Sequence, residues 1–198
     1  FSQFHFDILK DNVVPYLLSK QNLSDETDLR IWSAGCSTGE EVFSILIALF
    51  EYFGDKYKDI TCGVLATDIS SSALTKTRLG EYDTSKVAKG VLSRLENYIE
   101  LKGNGIFQFS EKIRREITSR NFNLNSRIYP FKQKFHVIFC RNVLLYFNRE
   151  SRERTQKKLV SVLDCGGFIF IGDAEKLDFE NFGLRKIGNG IFQKPDNF

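Results

Sequence analysis

The side chains whose types and spacing suit chemistry fall in three short stretches. In residues 31–41, IWSAGCSTGEE, a brief apolar run (Ile31, Trp32, Ala34) turns through Gly35, Cys36, Ser37, Thr38 and Gly39. It then delivers Glu40 and Glu41 to the first turn of an apolar-periodic segment. A strand that ends in a glycine turn and feeds a helix opens a βα unit, and in open α/β sheets ligands sit beyond the carboxyl ends of such strands. Glycines let main chain approach a ligand, and Thr38 is a fair N-cap for the helix. No GxGxxG follows the strand and no GxxxxGK[ST] occurs, so neither a dinucleotide pyrophosphate nor a P-loop phosphate is indicated. Two acids at the helix start repel phosphate and suit a ligand with a cationic end, an ammonium or a sulfonium. Taken alone, a GxxxG turn is equally a structural device.

The second stretch, ATDIS, puts Asp68 at the end of the next expected strand. There an acid accepts hydrogen bonds from ribose hydroxyls, or else caps the helix that follows. Together the two stretches describe a nucleoside whose other end is cationic and amino-acid-like, a description that S-adenosylmethionine fits. The third stretch, IFCRNVLLYF (residues 138–147), stops a dense apolar strand at Arg141 and Asn142 and then presents Tyr146. Arg141 is a ligand wall or a structural salt bridge. Tyr146 is a site residue or a core ring with a satisfied hydroxyl. Asn123 and Leu124, ending the preceding strand, fall near the same edge.

The elements that must position these residues follow from periodicity. Residues 1–20 read as an amphipathic helix (Phe6, Leu9, Val13, Val14, Leu17) broken in two by Pro15. Strands are expected at 29–33, 60–67, 106–109, 118–124, 135–140 and 168–172, with helices at 39–53, 70–79, 91–101 and 149–163. Two short strands, 184–187 and 190–194, are joined by the hairpin turn Gly188-Asn189. Strands alternating with helices and closing in a hairpin predict a doubly wound α/β domain. Its sheet is mostly parallel, covered by helices on both faces, and ends antiparallel.

Composition bounds the rest. A chain of 198 residues, 42% hydrophobic, builds one domain with a substantial core. A net charge of +3 is too small to argue for nucleic acid. Cys36, Cys62, Cys140 and Cys165 show neither CxxC pairing nor metal-ligand spacing, and His5 and His136 are isolated. The reading is reduced thiols, no metal, no membrane insertion and a cytoplasmic setting. The chain opens at Phe1 inside a helical pattern, so residues 1–27 are expected to be a helical segment truncated at its start.

Taken together, IWSAGCSTGEE, ATDIS, NFNL, IFCRNVLLYF and GGFIFIGDAEKL, in this order, resemble the CheR family of chemoreceptor glutamate methyltransferases. The resemblance covers residues 30–177. It implies a Rossmann-like S-adenosylmethionine-dependent methyltransferase domain, here 28–198, with a small β-subdomain insertion at 103–124 that helps dock receptors. By motif, Ala34 and Glu40 would line the methionine end of the cofactor and Asp68 would hold the ribose. Asn123 and Leu124 would border the adenine, Arg141 and Asn142 would complete the wall, and Tyr146 would stand beside the transferred methyl group. The implied product is a glutamate methyl ester, with S-adenosylhomocysteine left behind. The enzyme would work as a monomer on the methylation helices of a chemoreceptor.

Such a transfer asks little of protein side chains. A glutamate is ionised at neutral pH and attacks a methyl carbon without a general base. The protein must supply alignment and exclusion of water. Three departures from the family pattern stand out. The Thr-x-x-x-Phe-Phe-Arg segment survives at most as its tail in FSQFHF, Gly-His-Ser-Glu appears as Gly172-Asp173-Ala174-Glu175, and Cys165 replaces a proline. They motivate a second reading, a catalytically degenerate module that binds the cofactor without transferring methyl. A small carboxylic acid as acceptor is a third. Arg114, Arg115, Arg120, Arg127, Lys132 and Lys134 are either a solvated face or a landing site for acidic receptor helices.

Overall fold

Period-two alternation along the central strands divides the apolar residues between two faces of one sheet. The computed structural model describes residues 3–21, 27–88, 90–175, 177 and 179–197. Phe1, the expected start of the first helix, and Lys176 of the last motif lie outside them. In chain order come helices α1 (Gln3–Ile8) and α2 (Val14–Ser19), strand β1 (Asp28–Ala34), helix α3 (Glu40–Phe53), strand β2 (Thr61–Asp68) and helix α4 (Ser71–Leu79). Strand β3 (Glu81–Asp83), helix α5 (Val91–Leu95), strands β4 (Ile99–Gly103) and β5 (Ile106–Phe109), and helix α6 (Glu111–Arg114) follow. The chain closes with strands β6 (Ile117–Asn121) and β7 (Phe135–Cys140), helix α7 (Arg149–Val162), and strands β8 (Leu163–Ile171), β9 (Arg185–Gly188) and β10 (Ile191–Gln193).

Among the described residues the main sheet has the order β6-β2-β1-β7-β8-β10-β9. The first five strands run parallel, while β10 pairs antiparallel with both β8 and β9. The expected fold class is therefore present, closing hairpin included. Ile31, Val64, Val137, Phe139, Phe168 and Phe170 enter one core with α3 and the N-terminal helices. Trp32, Ala34, Ile138, Cys140, Ile169 and Ile171 enter the other with Leu159 and Val160 of α7. Burial on both faces explains why β7, His136 apart, reads as an apolar run.

Three local expectations are corrected. Residues 3–19 are not two separate pieces: a π-helical turn, Leu9–Val13, joins α1 to α2, and the Val14 N–H reaches back to Leu9 O. The wider turn just before Pro15 relieves the crowding its ring would cause on the carbonyl four residues back. The helix expected over 91–101 stops at Leu95, because Ile99–Gly103 pairs with β5 across a left-handed turn (Gly103 φ +87°, Asn104 φ +51°, Gly105 φ +72°). The small inserted sheet lies earlier than 103–124. Its order is β3-β5-β4, whereas β6 joins the main sheet parallel to β2. Tertiary packing decides this, since Phe107 and Phe109 are buried and Phe109 stacks on Phe43 of α3 at 3.9 Å.

At the amino ends of the strands, Arg30 fastens β1 to β7 and β8. Its guanidinium pairs with Asp28 and lies 3.5 Å from Asp164, and its main-chain N–H donates to His136 Nδ1 at 3.0 Å. Burial, with the Arg30 charge beside it, pulls His136 from 6.5 down to about 4, while Asp164 acts the other way. The unfolded chain thus takes up a proton more readily than the folded one. The stability His136 contributes is intact above about pH 6.5 and is lost as pH falls toward 4, by up to about 3 kcal/mol. A His136→Gln variant should accordingly show a shallower decline of its urea midpoint over that window than the parent. Equal slopes would refute the assignment.

Candidate active site

The carboxyl ends of β1, β2, β6, β7 and β8 lie along one edge, and the strand order reverses between β1 and β7. A ligand of an open α/β sheet binds at such a switch point. The turn from β1 into α3 crosses it with Gly35, Ser37 and Gly39 all in the left-handed region (φ +83°, +50° and +97°). A side chain at Gly35 would meet Val143 at 2.5 Å, which fits a residue kept small by close approach of the β7 loop. The Gly35 and Cys36 N–H groups donate to Thr67 O at 2.8 and 2.9 Å, and the Thr77 hydroxyl donates to Ser37 O at 3.1 Å. From the small sheet, the Tyr82 hydroxyl donates to Thr38 O at 2.7 Å.

Asp68 closes this arrangement. Its Oδ2 accepts the Ser37 N–H at 2.9 Å and its Oδ1 the Ser70 N–H at 2.8 Å. Each carboxylate oxygen has a second lone pair, so two acceptor positions are left for ligand hydroxyls. The cap of α4 is Ser70, whose Oγ accepts the Ala73 N–H, so the capping alternative for Asp68 reduces to this turn contact. Thr38 is not the cap of α3 as expected. Gly39 holds that position, and the Thr38 hydroxyl donates to the Glu40 carboxylate at 2.7 and 2.9 Å.

The two glutamates divide. Glu40 stays half-buried at the edge, while the Glu41 side chain is 8% exposed and lies 3.5 Å from Arg141 Nη1, with the Ser33 hydroxyl donating to it at 2.8 Å. Burial pushes the Glu41 carboxyl up, against the pull of Arg141 and Ser33. Helical spacing alone did not carry this signal: Glu41 falls in line with buried Ile45 and Leu49, but Glu40 is likewise followed by buried Phe43 and Ile47. Arg141, expected in the ligand wall, turns inward to make this pair with its side chain 3% exposed, and its guanidinium lies over the Phe6 ring at 5.6 Å. Only its main chain reaches the edge. Ala34 and Leu124 also bury their side chains, in the core around Trp32.

Asn123 and Asn142 are exposed at the edge. Asn142 is left-handed at φ +58°, and Asn123 Oδ1 accepts the Asn125 N–H at 2.8 Å. Tyr146 is 86% exposed in the turn Leu144–Tyr146, which excludes a core role. Glu175, to which sequence reasoning gave no role, is 6% exposed and accepts main-chain N–H groups from Gly172, Asn142, Val143 and Leu144 at 2.7–3.1 Å. Burial, and the charge of Asp68, push the Cys36 thiol up to about 12, so the turn offers no thiolate nucleophile. A cavity of about 630 Å³ opens at the opposite edge, between Asp28, Thr61 and Phe131, away from the switch point. The basic residues split likewise. Arg120 lies in β6 just before its carboxyl end and Arg127 follows it, whereas Lys132 and Lys134 precede β7.

Residues 1–189 match the family model described as CheR methyltransferase, SAM binding domain. The chain belongs to this family. Among its curated relatives, a chemotaxis protein methyltransferase of Pseudomonas aeruginosa is 37% identical over 88% of this chain and 64% of the relative. Another, from Borreliella burgdorferi, is 34% identical over 87% of this chain and 61% of the relative. The chain thus spans less than two thirds of the length of these relatives. A solved carbon methyltransferase, DszA, shares the fold at TM-score 0.50 and 14% identity, over 86% of this chain and 35% of that structure.

The cofactor of the CheR domain is S-adenosylmethionine. The chemistry of its carboxyl edge fits that molecule, with Glu40 for a cationic end, Asp68 for paired hydroxyls and glycine main chain for close approach. Among the described residues no helix is long and apolar enough to cross a membrane.

Proposed function

We propose that this CheR domain methylates glutamate side chains on the methylation helices of chemoreceptors, in the cytoplasm, giving methyl esters and S-adenosylhomocysteine. The observation that supports the reading is that the Asp68 and Glu40 carboxylates and the exposed Tyr146 all stand at the carboxyl ends of the adjacent strands β2, β1 and β7. When bound, S-adenosylmethionine supplies a methyl group on a cationic sulfur. Glu40, steadied by Thr38, attracts the ammonium end, with the Ala34 main chain beside it. Asp68 orients the ribose through its remaining lone pairs. Asn123 and the Leu124 main chain border the adenine, and Asn142 with the Arg141 main chain completes the wall. Tyr146 would stand beside the reacting carbon, where its hydroxyl would orient the incoming carboxylate. The acceptor needs no base, and Cys36 remains a thiol that does not compete for the methyl group. Exposed Arg120 and Arg127 complement the acidic face of a receptor helix.

Incubating the full-length protein with labelled cofactor and a receptor cytoplasmic fragment should yield base-labile methyl esters. Absence of label, with S-adenosylhomocysteine still raising the melting temperature, would replace this reading by that of a binding module. Because Tyr146 is solvent-exposed, Tyr146→Phe should leave stability within about 0.5 kcal/mol of the parent. The same variant should lower kcat about tenfold. An unchanged kcat would remove Tyr146 from the site.

A further inference from the structure

The turn that bears Tyr146 is gripped from both sides by charge. On its N–H side, Glu175 Oε2 accepts from Gly172 and Asn142 at 2.7 and 2.8 Å, and Oε1 accepts from Val143 and Leu144, both at 3.1 Å. Consecutive main-chain N–H groups converging on one anion form a nest, a conformation organised around negative charge. Four main-chain N–H groups thus compensate the charge of this carboxylate. On the C=O side, Arg152 of α7 donates from Nε to Leu144 O at 3.2 Å and from Nη2 to Phe147 O at 3.1 Å. The loops after β7 and β8 interlock as well, since a Cβ at Gly172 would collide with the Asn142 side-chain oxygen. Tyr146 has an exposed ring, and its own N–H bonds to Val143 O at 3.3 Å. Its location is therefore inherited from a turn whose donors and acceptors end on Glu175 and Arg152.

We infer that Glu175 and Arg152 are positioning residues, a charge clamp that places Tyr146 for methyl transfer while touching neither cofactor nor acceptor. The inference rests on the methyltransferase reading for its catalytic consequence, and on geometry alone for the clamp. Replacing one carboxylate oxygen by an amide NH₂, in Glu175→Gln, sets a donor against two of the four N–H groups. Arg152→Gln removes the cationic half and guards against a Glu175 variant that fails to fold.

In the full-length protein, amide hydrogen exchange at Val143 and Leu144 should quicken at least about tenfold in either variant, with Ile138 and Phe139 in β7 unchanged. The S-adenosylhomocysteine Kd should stay within about threefold, while kcat falls about tenfold, the split expected when positioning rather than binding is lost. Combining Glu175→Gln with Tyr146→Phe should cost about the same tenfold, not the hundredfold of independent sites. Unchanged exchange in both variants, or multiplicative losses in the double variant, would overturn the clamp. A parent protein that transfers no methyl would overturn the function reading alone, and the exchange rates would still decide the clamp.

Discussion

Asp68→Ala is expected to weaken binding of S-adenosylhomocysteine by about 100-fold, the largest loss from any single change at the carboxyl edge. Two ribose hydroxyls donating to a carboxylate are charge-assisted hydrogen bonds worth about 1.5–3 kcal/mol each. A 100-fold loss is about 2.7 kcal/mol, so forfeiting even part of the pair reaches it. The same change releases the Ser37 and Ser70 N–H groups, which loosens the glycine turn as well as removing the acceptors. Asp68→Asn separates the two contributions, because it keeps one acceptor oxygen and should cost nearer tenfold. Calorimetric titration of variants that retain the parent circular dichroism is the measurement. An Asp68→Ala Kd within threefold of the parent would remove Asp68 from the ribose site.

Arg141→Met is expected to cost about 3–5 kcal/mol of folding stability, because it strands the Glu41 carboxylate in the core. Glu41 is buried among α3 residues and would keep, among the described residues, the Ser33 hydroxyl. Taking away Glu41 as well should return much of the loss. A well-packed apolar pair of similar volume often equals a buried ion pair. The Glu41→Leu/Arg141→Met protein should therefore be more stable than Arg141→Met alone in urea unfolding. Should Arg141→Met cost under about 1 kcal/mol, the pair is no anchor. Arg141 also lies over Phe6, so the single change should expose the junction between α1 and the sheet to proteolysis before the rest of the domain.

The sequence made the parallel core legible because strands buried on both faces leave no polar alternation to misread, as in FHVIFC. It also located the glycine turn, Asp68 and the Arg141–Asn142 strand end, since strand-turn-helix punctuation is local. What it hid was set by partners far along the chain. Residues 91–101 carry a helical pattern, yet Ile99–Gly103 becomes a strand because it pairs with β5, whose Phe109 stacks on Phe43. Ile117–Asn121 looked like part of an insertion, and pairing with β2 made it an edge of the main sheet. Arg141 was open between ligand and salt bridge, and the choice depended on Glu41, 100 residues earlier. Glu175 had no local signature at all, because its partners are main-chain N–H groups that every residue type supplies.

The central strand imposes an order of events on synthesis. β1 lies between β2 and β7, and its pairing with β7 joins Ile31 to Val137, while neighbouring Arg30 and His136 stand 106 residues apart. At translation rates of roughly 5–20 residues per second, that stretch takes on the order of 5–20 s to emerge. Throughout that interval the nascent chain carries the apolar strand of Ile31 and Trp32 with one side unpaired. The emerging sheet stays open along its middle seam until β7 arrives, and β8 and the closing hairpin can add only after that. Pausing before residue 135 prolongs a sticky intermediate, while pausing after residue 171, once β8 is out, gives the seam time to shut.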